Sequence, residues 1–378
     1  MKIAMFTDTF MPNINGIVTS VRNSSINLAK KGHKIYIFTV KPKDKKFITK
    51  LGKNIKIFYY NPINLINYPD FQLVLPRLAD MITKIRQIKP DVIHIHTPSF
   101  LGWSALLISK MFKIPVVSTY HTLLPDFLKY LPIPNLDNSK TAKKLTWDYT
   151  KSFYNRCNLV TTPSIAMKEE LRKNGIKKPI VFLSNGVDLN KFKFLKMKKS
   201  GNIILHVGRI GYEKNIDVLI KAFNEVLKIN KDARLVIAGD GPYLEELKNL
   251  TKKLKINKKV KFLGRVNYDE LPKLYCSSDV FVTASTVETE GIVILEAMAC
   301  GLPIIGVNKL AIPTIVKNGK NGFVIEPGDY KNIAKYIIEI LKNKEERDKF
   351  GKESIKVADK YSLNQVIKQL ERIYKNLK

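Results

Sequence analysis

Strand-like and helix-like segments alternate along this chain, and the alternation runs through once and then begins again near residue 202. A chain patterned this way builds parallel sheets with helices on both faces, because each helix carries the backbone back to the same sheet edge. In the first run, residues 2–6 read as a strand, residues 9–16 as a glycine-containing loop, and a helix follows through Leu28. Lys31-Gly32-His33 closes that helix, and residues 34–40 form the next strand. Residues 76–88 set Leu78, Met81, Ile82, Ile85 and Ile88 on one helical face, and Pro90 ends the helix. Residues 91–96, 114–119 and 158–162 give further strands. Residues 123–146 break the pattern with three prolines and no clean period, which predicts a long functional loop.

The second run has strands at 202–207, 234–238, 259–263, 280–283, 303–307 and 322–325, with a helix over 216–229 and another from Tyr243. A length of 378 residues is too great for one ordinary core and suits two. The expected fold class is α/β, with two Rossmann-like domains whose parallel sheets face across a cleft. The charged segment 191–201, ending in Ser200-Gly201, marks the boundary, giving domains 1–192 and 201–359. In such folds ligands bind at the carboxyl ends of the strands, here in the cleft between the domains.

The chain has 65 Lys and Arg against 33 Asp and Glu, a net charge of +32. Residues 1–192 carry 30 and 11 of these, a net of +19, so the excess is heavier in the first half. Such a field attracts nucleotide phosphates, acidic lipid headgroups or nucleic acid, or it reflects a lysine-rich habit spread over solvated faces. No recognised nucleic-acid motif is present, and none is expected as a partner. Cys157, Cys276 and Cys300 are too few and too scattered for a disulfide framework or a zinc cluster, and suit a reducing cytoplasm. The opening stretch Met1–Asp8 meets a charged residue too early for a signal peptide, and no apolar run reaches membrane-spanning length. Any membrane contact is expected at the surface.

Val207-Gly208-Arg209 ends the first strand of the second run, and Glu213-Lys214-Asn215 leads into the next helix. Two cations beside a helix N-terminus can make an anion site suited to a diphosphate; the plainer reading is two surface cations on a loop. Glu288-Thr289-Glu290-Gly291-Ile292 is followed by Glu296 one turn inside a helix. Gly291 permits close approach of a ligand to the backbone. Glu296 could accept the vicinal hydroxyls of a ribose, and Glu288 could reach sugar hydroxyls; acidic residues near a helix start are also ordinary. In the first domain, Pro12-Asn13-Ile14-Asn15-Gly16 is a glycine loop at a helix start. His121 follows a strand at its carboxyl end, where it could bond a sugar hydroxyl or serve as a structural histidine. His94 and His96 share a strand face without a third ligand at metal spacing, so no metal is expected.

Taken together, these blocks resemble the retaining glycosyltransferases of the GT-B fold that carry a Glu-x7-Glu motif, family 4-like, and nearest in appearance to diacylglycerol glucosyltransferases. The likeness lies in Phe6-Thr7-Asp8-Thr9-Phe10-Met11-Pro12 through Gly16, in Thr119-Tyr120-His121-Thr122, Ser184-Asn185-Gly186, Gly208 to Asn215, Ala238-Gly239-Asp240-Gly241-Pro242 and Glu288 to Gly301. The resemblance implies a hexose moved from a nucleotide sugar, UDP-glucose or similar, to an acceptor hydroxyl with retention of configuration and no metal or other cofactor. It implies that Arg209 and Lys214 neutralise the leaving diphosphate, that Glu296 holds the ribose, and that Glu288 touches the sugar near the N–H groups of Gly291 and Ile292. Gly16 would approach the phosphate, His121 the reacting sugar, and Arg265 and Val266 the base. The helix over 360–378 would return to the first domain. Glu290 departs from the apolar residue of many relatives, and it either contacts the sugar or faces solvent.

The acceptor implied is diacylglycerol or another lipid, reached from an anionic membrane face, or else a soluble or polysaccharide acceptor. Phe127, Lys129, Tyr130 and Leu131 in the long loop would suit a headgroup surface. A sugar-nucleotide epimerase shares the two-domain architecture and would turn over donor without acceptor.

Overall fold

The computed structural model describes residues 1–13, 15–42, 51–63, 73–74, 77–125, 128, 136–197 and 202–377. Ile14, the loop residues Phe127, Lys129, Tyr130 and Leu131, and the Ser200-Gly201 end of the boundary segment lie outside them.

Two units emerge, each around its own sheet. The first comprises Met1–Asn185 with Asn364–Lys378, the second Gly186–Leu363. The division falls earlier than the 192 expected from the charged segment. Val187 and Phe192 explain this, since both are buried in the second unit's core, where Phe192 packs edge-on against Tyr268 and Tyr275.

The first unit runs β1 (Lys2–Thr7), α1 (Gly16–Lys30), β2 (Lys34–Val40), β3 (Ile55–Tyr60), the short antiparallel pair β4 (Pro62–Ile63) and β5 (Leu73–Val74), α2 (Leu78–Ile88), β6 (Val92–Ile95), α3 (Phe100–Phe112), β7 (Val116–Thr119), α4 (Lys140–Tyr154), β8 (Leu159–Thr162), α5 (Ile165–Lys173) and β9 (Ile180–Phe182). Its seven strands lie in the order β3-β2-β1-β6-β7-β8-β9, with parallel pairing throughout. β1, β6 and β7 are buried along nearly their whole length, as strands covered on both faces must be. α4 corrects one expectation, because it begins inside the segment read as loop. Ser139 caps it by accepting from the Ala142 N–H, a start signal that the prolines upstream masked.

The second unit runs β10 (Ile203–Val207), α6 (Ile216–Ile229), β11 (Arg234–Ala238), α7 (Leu244–Lys253), β12 (Val260–Gly264), α8 (Leu271–Cys276), β13 (Val280–Val282), α9 (Ile292–Ala299), β14 (Ile304–Val307), α10 (Ile312–Ile315), β15 (Gly322–Ile325), α11 (Tyr330–Lys342) and α12 (Lys344–Asp359). Its sheet order is β12-β11-β10-β13-β14-β15, again parallel. α6 buries the stripe Ile216, Leu219, Ile220, Phe223 and Val226 that its period predicts. Both sheets are Rossmann-like, reversing strand order beside their first strand.

The last helix, α13 (Leu363–Leu377), joins the first unit. Glu371 pairs with Lys31 at 2.7 Å and with His33 at 3.2 Å, and the Tyr374 hydroxyl meets His94 Nδ1 at 2.5 Å. Among the described residues no helix is long and apolar enough to cross a membrane.

Candidate active site

In a doubly wound sheet, a crevice opens where neighbouring strands send the chain to opposite sides. In the second unit those strands are β10 and β13. Gly208, Arg209 and Lys214 follow the first, and Glu288 follows the second. The Lys214 ammonium donates to Glu288 Oε1 at 2.6 Å, so this pair bridges the switch point. Lys214 ends a 3₁₀ turn, Tyr212–Lys214, and Asn215 then enters the left-handed region (φ 48°) to start α6. Asn215 Nδ2 donates to Ala284 O at 3.2 Å, tying that turn to the segment after β13. Burial pushes the Glu288 carboxyl upward, but the charge and hydrogen bond of Lys214, helped by Ser285 and His206, outweigh it and hold the group below its ordinary value.

The loops after β10, β11 and β12 are laced together by backbone bonds. Gly208 N–H donates to Ala238 O (3.0 Å), Gly239 N–H to Gly264 O (2.8 Å) and Ile210 N–H to Asp240 O (2.9 Å). At Gly239, a Cβ would stand 1.8 Å from Gly208 O, so only glycine lets the two loops approach this closely. Arg209 emerges from this lacing partly buried, and that burial lowers its pKa. Arg265 sits on the adjoining turn, largely exposed and 3.4 Å from Asp240, with Val266 packed on the core beside it.

α9 starts where the spacing predicted. Gly291 is left-handed (φ 83°), and the helix has no side-chain cap, while the N–H groups of Ile294 and Leu295 both reach Gly291 O. Glu296 is buried one turn in and accepts from the Tyr275 hydroxyl at 3.0 Å. Burial pushes its pKa to about 8, against the smaller opposing effects of Tyr275 and Lys191, so it is mostly protonated at neutral pH.

In the first unit, β1 and β6 form the equivalent switch point. Gly16 opens α1, which Asn15 caps through the Val18 N–H (3.0 Å). His121 lies just beyond β7, with Nε2 3.0 Å from His96 Nδ1. Burial lowers its pKa to about 3, so it is a neutral hydrogen-bonding group. His94 lies tilted against His96, with ring centroids 4.0 Å apart, and bonds Thr119 Oγ1 at 2.7 Å. Four of these ring nitrogens bond one another or hydroxyls, while His96 Nε2 is buried with no hydrogen-bond partner among the described residues. Among the described residues, no group of three or more His, Cys, Asp or Glu is placed to hold a metal ion.

Residues 188–357 match the family of glycosyl transferases group 1, and residues 14–191 match glycosyltransferase family 4. The alpha-monoglucosyldiacylglycerol synthase of Streptococcus pneumoniae is 31% identical over 81% of this chain and 70% of its own length. The chain belongs to the group 1 glycosyltransferases. The alpha-monoglucosyldiacylglycerol synthase of Acholeplasma laidlawii is 28% identical across 100% of this glycosyltransferase and 97% of its own length. Among solved structures, Anabaena HepE in complex with UDP-glucose matches with a TM-score of 0.79 and 19% identity, covering 100% of both chains. The fold is GT-B.

Sequence reasoning missed two residues of this glycosyltransferase. Tyr275, on α8, donates to Glu296, and an aromatic ring in a six-residue helix carries no sequence signal beyond core packing. His206, on β10, is buried with Nδ1 bonded to Val282 O at 2.9 Å, and strand alternation gives such a residue no special signal. Glu290 is settled in part, being buried and not solvent-facing, and its charge raises the Tyr361 hydroxyl further than burial alone.

Proposed function

We propose that this glycosyltransferase moves a hexose, with retention, from a nucleoside diphosphate sugar to a lipid hydroxyl, with UDP-glucose as donor and diacylglycerol as acceptor. The observation that carries the reading is the Lys214–Glu288 pair across the β10/β13 switch point, beside Arg209 and the uncapped start of α9. A diphosphate suits this place, because Arg209, Lys214 and the free N–H groups of the first turn of α9 all favour negative charge. Such charge grows on the leaving group as the anomeric carbon acquires oxocarbenium character. Groups fixed there beforehand stabilise the transition state more than the ground state.

On this reading Lys214 turns to the diphosphate as the donor binds, leaving Glu288 to accept a sugar hydroxyl. Glu296 holds the ribose hydroxyls beside Tyr275, its protonated carboxyl able both to donate and to accept, and the turn at Arg265 and Val266 carries the base. Gly16 and His121 keep the roles given for them above, with neutral His121 bonding a hydroxyl rather than shuttling a proton. The acceptor proton leaves on the departing phosphate, and no metal takes part. The lipid acceptor is supported by the two diacylglycerol synthases that resemble this chain. The net charge of +32 supports peripheral association with an anionic membrane on its cytoplasmic face.

The test combines UDP-glucose with diacylglycerol in mixed micelles and reads the product's anomeric configuration by proton coupling. An α-linked glucolipid supports the reading, and a β-linked product refutes retention. Release of UDP only with a soluble sugar acceptor refutes the lipid assignment. Flotation with anionic vesicles at low salt tests the membrane claim, which fails if the protein stays at the bottom.

A further inference from the structure

His206 has one satisfied nitrogen and one orphan. Its Nδ1 lies 2.9 Å from Val282 O, and a carbonyl only accepts, so Nδ1 carries the hydrogen. In the neutral ring Nε2 is then an acceptor. Burial lowers the ring's pKa to about 4, with the Val282 bond opposing and Lys214 adding to the fall, so the neutral form holds at pH 7. Nε2 is fully buried and has no hydrogen-bond partner among the described residues. A buried acceptor left unbonded costs free energy, and such groups call for a physical reason.

Its surroundings suggest one. A Cβ placed on Gly208 would lie 3.6 Å from Nε2, so the orphan nitrogen sits against the glycine that introduces Arg209. Lys214 and Glu288 both act electrostatically on the ring, the first lowering and the second raising its pKa. The ammonium that donates to Glu288 has two further N–H groups. An acceptor locked by its Val282 bond, with no proton of its own, is suited to receive one of them.

We infer that His206 is a positioning residue whose Nε2 accepts a hydrogen bond from the Lys214 ammonium when an anion draws Lys214 away from Glu288. This rests on the donor-site reading and deepens it: Lys214 has two stations, Glu288 before the diphosphate binds and His206 once it is bound. The second station keeps the cation from following the anion outward and fixes one of its three hydrogens.

The two ring nitrogens can be removed separately. His206→Asn keeps an N–H near the Nδ1 position for Val282 O and deletes the Nε2 acceptor. His206→Gln places an amide oxygen near the Nε2 position and gives up the Val282 bond. Titration calorimetry with UDP and GDP reads Kd, using whichever binds the wild type more tightly, and thermal unfolding reports folding. The expected result is a Kd raised about tenfold in His206→Asn at near wild-type Tm, while the Gln variant binds within about threefold despite a lower Tm. Equal affinities in the two variants, or a loss only in Gln, overturn the inference. A second measurement needs no variant. In protein labelled with ¹⁵N in its five histidines, the Nε2 resonance of His206 should shift upfield on saturation with the nucleotide, and an unmoved resonance overturns the inference. Lys214→Ala separates the two levels. If it binds nucleotide as wild type does, or if neither nucleotide binds the wild type, the donor-site reading itself fails; if it weakens binding while His206→Asn does not, only the role of His206 fails.

Discussion

Replacing Lys214 by Ala should destabilise the second unit and abolish most turnover, and the two effects separate by pH. The side chains of Lys214 and Glu288 are 18% and 13% exposed, and their atoms are 2.6 Å apart. Truncating one partner of a fully buried pair costs about 3–5 kcal/mol, and residual solvent access brings this site to about 2–3 kcal/mol. For a unit of this size, that lowers Tm by about 5–10 °C. In the wild type the folded pKa of Glu288 is depressed, so its contribution is present above the ordinary 4.5 and is lost as pH falls through the folded pKa. In Lys214→Ala the depressing charge is gone and burial remains, so the same carboxylate costs stability as pH rises past 4.5. The Tm gap between the two proteins should therefore be wide at pH 7 and narrow at pH 4 by circular dichroism. A gap independent of pH refutes the pairing. The double variant Lys214→Met with Glu288→Leu should recover most of the lost stability, since no charge is left buried alone. Its kcat should still fall by about 10²–10³-fold, and recovered activity would refute an electrostatic role for Lys214.

Three further perturbations probe the framework around the site. Gly239→Ala forces a Cβ onto Gly208 O at a backbone angle (φ 149°) that suits only glycine. It should cost about 3–5 kcal/mol and weaken nucleotide binding, and an unchanged Tm would refute the close approach of the two loops. Glu296 has its folded pKa raised to about 8, so the wild type has the full benefit below the ordinary 4.5 and loses stability as pH rises toward 8. Glu296→Gln lacks that loss, and its Tm relative to wild type should climb between pH 5 and pH 8; a flat difference places the carboxyl in water. Tyr374→Phe removes the hydroxyl that meets His94 at 2.5 Å and should cost about 1–2 kcal/mol by urea denaturation, whereas no change would mean that water replaces the bond.

The elements were legible where one physical signal dominated. The stripe of α6 and the apolar runs of β10 and β11 could be read almost to the residue, because burial on one face imposes a period on sequence and burial on both an unbroken apolar run. β9 and α4 escaped. The first has only three residues, and the second is polar on most of its surface and capped by a serine behind a run of prolines. At the site, residue type and spacing brought Lys214, Glu288, Gly291 and Glu296 into view. What they could not convey is pairing, which depends on sheet order rather than chain order. Glu288 meets Lys214 only because β13 lies beside β10, 74 positions apart in the chain at the pair itself. His206 was hidden for the same reason, since a lone buried histidine becomes informative only when one of its nitrogens is found without a partner.

The excess of positive charge illustrates why composition alone located nothing. Most of the ion pairs on helix surfaces, such as Lys221–Asp217 and Lys356–Glu353, join neighbours one turn apart on exposed faces, where solvent leaves each worth little. Lys214 differs in being withdrawn from water, so its field is poorly screened and its orientation is fixed by a carboxylate far along the chain. An anion arriving at the β10/β13 crevice meets a few strongly coupled charges there, while the remaining lysines add a diffuse, salt-sensitive attraction. It follows that added salt should weaken nucleotide binding only modestly in the wild type, and that the cations which decide binding are those the fold has partly dehydrated. If affinity for a nucleoside diphosphate instead fell steeply with salt, as it does for surface-held polyanions, the diffuse field would be the binding element and the buried pair only a structural one.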